Sequence, residues 1–158
     1  MSNPLATYLH DHLAGAAFAI DLLQALHNRY SDEALGKLAS SLLVEVEQDR
    51  ETLQRIVDRV GKESPDLKQA AAWLAEKVSR LKLNHDEPDG LGTLQALETL
   101  ALGIQGKVAL WHALSEVPEI HNRIGKVDLE QLIVRAQYQY TQVEESRLLV
   151  AQTALARV

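Results

Sequence analysis

The chain has 158 residues, 46% hydrophobic and 24% charged, ordinary globular values that exclude wholesale disorder. A formal net charge of −6 argues against a nucleic-acid partner, and zero cysteines exclude disulfide frameworks, zinc–thiolate sites and cysteine nucleophiles. Aromatic residues make up only 4% while Leu and Ala abound, which favours helix over sheet, and the length suits one domain over residues 1–158.

The opening stretch MSNPLATYLHDHLAGAAF has no basic n-region of a signal peptide, and its apolar run stops at Asp21, short of a membrane span. A soluble cytoplasmic protein without a membrane partner is the expectation. The spacing of Leu5, Leu9, His12, Ala16, Ala19, Leu23 and Leu26 predicts a helix over 4–29 with one buried face. Asn3-Pro4 fits an N-cap followed by proline at the first helical position. His12 stands on the buried stripe, either as a core histidine or as part of a site.

Ser31 reads as the cap of a second helix that runs to Val60 and stops at Gly61. Its predicted stripe is Leu35, Leu38 or Ala39, Leu42 or Leu43, Val46, Arg50, Leu53, Val57 and Val60. Arg50 thus occupies an expected apolar position, with Glu47 one turn before it. An exposed Glu-x-x-Arg pair of this kind contributes a few tenths of a kcal/mol, roughly, to a helix.

Glu63-Ser64-Pro65-Asp66 opens a shorter amphipathic helix over 66–82, and LNHDEPDGLG after it has loop composition. A third long helix, over 92–116, carries Leu94, Leu97, Ala101, Ile104, Val108 and Trp111, with Glu98, Gln105 and His112 beside the stripe. Gly103 and Gly106 weaken it by about 1 kcal/mol each, which suits a close approach by another helix or by a second copy in a homodimer. The last helix, over 127–157, has Asp128 as its cap and Leu129, Ile133, Ala136, Tyr140, Val143, Arg147, Val150 and Ala154 as its stripe. Glu144 and Arg147 repeat the Glu-x-x-Arg pair.

Short joints make the first two long helices one antiparallel hairpin and the last two another. The segment over 66–82 would span about 25 Å at 1.5 Å per residue, enough for a crossover along the bundle. Counting back from the two turns sets Glu47 opposite Leu13, next to His12, and Glu144 opposite Leu100, near Glu98. His12, Glu47, Arg50, Glu98, Glu144 and Arg147 are therefore expected in one buried mid-bundle layer.

This pattern resembles the ferritin-like di-iron carboxylate superfamily, an all-α four-helix bundle with one long crossover, here containing an extra helix. That superfamily carries one acidic ligand on the first and third helices and Glu-x-x-His on the second and fourth. Glu47, Glu98 and Glu144 match its carboxylates, whereas His12 replaces the first-helix acid and Arg50 and Arg147 replace the two histidines. Arginine stays protonated and offers only donors, so it cannot ligate iron. Three carboxylates, two guanidinium groups and a protonated His12 balance to zero, so the layer can satisfy itself without metal.

The resemblance, with these departures, implies a non-catalytic binding or structural module with no cofactor. The alternative is a metal-dependent oxidoreductase or metal-binding protein holding iron or manganese on His12, Glu47, Glu98 and Glu144. A small-molecule pocket built from Trp111, His112 and Tyr140 is a third reading, with no spacing to support it.

Overall fold

Helix boundaries follow from local capping chemistry. In the computed structural model, which describes residues 3–61 and 90–156 together with Ala72 and Glu76, all regular structure is helical. Helix α1 spans Pro4–Arg29, and the Asn3 side chain accepts from the Ala6 amide at 3.3 Å. Helix α2 spans Ala34–Val60 and ends at Gly61, whose φ of 110° lies in the left-handed region. Its N-cap is Glu33 and not Ser31. Helix α3 spans Leu91–Ser115. A 3-10 turn over Pro118–Ile120 and the short helix α4, His121–Ile124, lead to helix α5, Leu129–Ala154. Asp128 caps α5 by accepting from the Gln131 amide at 3.0 Å. The predicted helix over 66–82 lies outside the described residues apart from Ala72 and Glu76, as does the loop as far as residue 89.

Helix α1 packs on α2 and α3 on α5, and α1 also meets α3 while α2 meets α5. Two apolar clusters show the helix directions. One joins Leu22, Leu23 and Leu26 of α1 to Leu42 and Val46 of α2, Leu97 and Leu100 of α3, and Val143 of α5. The other joins Leu9 to Leu53, Ile56, Leu110, Trp111, Leu132 and Ala136. The end of α1 thus lies with the starts of α2 and α3 and the later part of α5. Helices α1 and α5 run one way, α2 and α3 the other, so Val60 and Leu91 lie at opposite ends. Each fully buried Leu contributes about 1.5–3 kcal/mol, which makes these two clusters the main stabilising features.

The joint between α1 and α2 is tight. A Cβ on Gly36 would come within 1.8 Å of the Tyr30 carbonyl oxygen, so only glycine fits there. His27 Nδ1 donates to the Gly36 carbonyl at 3.1 Å, and the Tyr30 hydroxyl meets Thr93 Oγ1 of α3 at 2.6 Å. Among the described residues, no helix is long and apolar enough to cross a membrane.

Candidate functional site

Between the two apolar clusters the helix seams carry polar residues. In α2 the buried positions include Ala39, Leu42, Val46, Asp49, Leu53 and Ile56, an alternating three- and four-residue step with Asp49 in the middle. In α3 the matching step runs Leu97, Leu100, Ile104, Lys107, Trp111 and Leu114, with Lys107 at the break. In α5 it runs Leu132, Ala136, Gln139 and Val143. Three seams therefore meet at one level through a carboxylate, an ammonium and an amide.

The three form a hydrogen-bonded group. Lys107 Nζ donates to Asp49 Oδ2 at 2.6 Å and also to Gln139 Oε1. Arg135, on α5, donates through Nη2 to Asp49 Oδ1 and through Nη1 to Gln48 Oε1 at 3.2 Å. Gln139 Nε2 donates to Glu45 Oε2 at 2.8 Å and, more weakly, to Asp49 Oδ2 at 3.4 Å. The Asp49 side chain is only 4% exposed, Lys107 14%, and Gln139 is fully buried. Burial pushes the Lys107 ammonium below its ordinary pKa, and the neighbouring Asp49 carboxylate opposes that shift. Two carboxylates and two cations balance, so a charged layer persists in an apolar interior.

The six residues expected in one buried layer separate in the fold. Glu47 and Arg50 are exposed. The reason is rotational: positions 49 and 50 lie three and four residues beyond Val46, and both satisfy a helical period. The α2 seam takes the three-residue step, which buries Asp49 and turns Arg50 about 100° away. The same choice in α5 buries Gln139 in place of Tyr140. Glu98, Glu144 and Arg147 do come together, beside the first apolar cluster, one to two turns along α5 from Gln139. Arg147 binds Glu144 through two hydrogen bonds at 2.6 and 2.8 Å and reaches Glu98 at 3.4 Å. Glu98 is half exposed, and Arg147 and Glu144 keep about a quarter of their side-chain surface in solvent, so this is a partly solvated cluster and no buried layer. Its bidentate hydrogen bond raises the Arg147 pKa and lowers that of Glu144.

His12 is half-buried at the edge of a cavity of about 350 Å³ between α1, α2 and α3. Gly15, Ala16 and Ala19 of α1 leave this space, because none has a side chain long enough to reach α3. Asp49, Arg50, Lys107 and Trp111 also line it. Burial holds the His12 pKa below its ordinary value, partly opposed by Asp11, and its ring meets Tyr8 edge-on at 4.7 Å. Trp111 is 1% exposed, and its indole Nε1 finds no hydrogen-bond acceptor among the described residues.

The residues do not fit an iron or manganese centre. Both Asp49 oxygens already accept from cations, and two positive side chains stand where a divalent ion would have to enter. Among the described residues, no group of three or more His, Asp or Glu side chains is placed to hold a metal ion. Sequence reasoning passed over Asp49, Lys107, Arg135, Gln139 and Glu45. The signal available was one polar interruption of a strict three–four register, mid-helix, in each of three helices.

No family model, curated protein or solved structure matches the chain.

Proposed function

We propose that the chain is a ferritin-like helical module without catalytic activity, acting through binding or as a structural element. In this reading, the level that carries metal in that superfamily is held by the salt-bridge layer of Asp49, Lys107, Arg135 and Gln139. The observation that carries it is the saturation of Asp49, whose two oxygens take hydrogen bonds from an ammonium and a guanidinium inside an apolar core. The helix directions support the same reading, with α1 and α5 opposed to α2 and α3.

The test is elemental analysis of protein purified without chelator and then dialysed against iron and manganese. The expected result is less than stoichiometric metal in both preparations. One or more tightly held ions per chain would replace this reading with the metal-dependent alternative.

A further inference from the structure

We infer that the cavity between α1 and α3 is a binding site for a small monocarboxylate with an apolar body. This deepens the binding-module reading and rests on it. Two observations converge. The walls are mainly apolar, from Ala16, Phe18, Ala19, Val46, Leu53 and Ile104, and the volume of about 350 Å³ falls at the lower end of ligand-pocket sizes. Trp111 forms part of the lining through its ring, while its indole Nε1 is fully enclosed and presents no surface to the cavity.

Charge selects the class of acceptor. Asp49 and Lys107 at the wall neutralise each other through their 2.6 Å hydrogen bond. Arg50 also lines the cavity and makes no ion pair or hydrogen bond among the described residues, which leaves one positive charge in excess. An anionic headgroup meets that charge, while a cationic headgroup is repelled by it. The mouth is kept open by glycine on both walls. A Cβ placed on Gly15 of α1 or on Gly103 of α3 would meet nothing within 4 Å among the described residues.

The probe is octanoate, with octan-1-ol and octylammonium as headgroup controls. Titration into the Trp73→Phe protein makes Trp111 the one remaining tryptophan, because the chain has two. Octanoate is expected to give a saturable change in Trp111 emission, matched by calorimetry. Octylammonium should give none, and octan-1-ol should bind about tenfold more weakly, as the loss of a charge-assisted bond predicts. Arg50→Met should weaken octanoate by a similar factor and leave octan-1-ol unchanged. Gly15→Leu adds bulk within the cavity and raises helix propensity, so it should fold and lose octanoate binding; Gly103→Leu does the same from the other wall. Binding that survives both leucine variants, or equal affinity for octanoate and octylammonium, would overturn the assignment. So would octan-1-ol binding as tightly as octanoate, and so would the absence of octanoate binding. If octanoate fails while the protein remains metal-free, this inference falls and the salt-bridge reading stands.

Discussion

Asp49 and Lys107, 58 residues apart in the chain, meet through a 2.6 Å hydrogen bond at the junction of the two apolar clusters. The contact ties the first helical hairpin to the second at a level where all other seam residues of α2 and α3 are apolar. A buried ion pair adds little net stability over well-packed apolar residues, but it is costly to leave half-made. Its value is orientation: only one rotation of α2 against α3 brings carboxylate to ammonium.

Asp49→Ala should lower stability by about 3–5 kcal/mol in a urea melt, because the Lys107 ammonium loses its carboxylate partner in the interior. The triple change Asp49→Leu, Lys107→Met and Gln139→Leu removes the whole group and should recover most of that loss, while Arg135 turns toward Gln48 and solvent. A single Asp49→Ala cost below about 1 kcal/mol, the range of surface pairs, would contradict the burial of this layer.

Arg147→Ala should leave the urea midpoint close to that of the parent. The exposure of Glu98 and the partial exposure of Glu144 let water replace the guanidinium. The double pair of Glu-x-x-Arg motifs suggests a large loss if Arg147 is buried. A large drop in midpoint for Arg147→Ala would restore that view.

His12 should make stability pH-dependent on the acid side. Its folded pKa lies below the ordinary value of 6.5, so the unfolded chain binds more protons between the two values. Stability therefore rises with pH through that window and falls as the solution is acidified. Asp11, Asp49, Lys107 and Arg50 are the charged groups that stand near the ring or share its cavity. His12→Gln should flatten the acid arm of a stability–pH curve measured against the parent, and an NMR titration should place the His12 midpoint below that of an exposed histidine. An unchanged acid arm would remove His12 as its cause.

We also propose a homodimer, formed through the face of α3 that carries exposed Leu102 beside Gly106. Among the described residues, nothing lies within 4 Å of a Cβ built on Gly106, so their packing does not account for that glycine. Light scattering across a dilution series should report a dimeric mass at micromolar concentration, and Gly106→Leu should shift it toward monomer. A monomeric mass throughout would count against the dimer.

The helical class, the four long helices with their approximate ends, and the stripe of α1 were legible in the sequence. Periodicity, proline and glycine positions, and the Asn3 and Asp128 caps are local properties of the chain, and they act before any helix meets another. The Glu144–Arg147 contact was legible for the same reason, since residues three apart on a helix are neighbours. Which of Asp49 and Arg50, or of Gln139 and Tyr140, turns inward was not. Both members of each pair fit a 3.6-residue period, and only the meeting of α2, α3 and α5 selects the rotation that gives Asp49 its Lys107. Nor could a single helix disclose the cavity, because the small side chains of α1 become a void only when α3 stands opposite them.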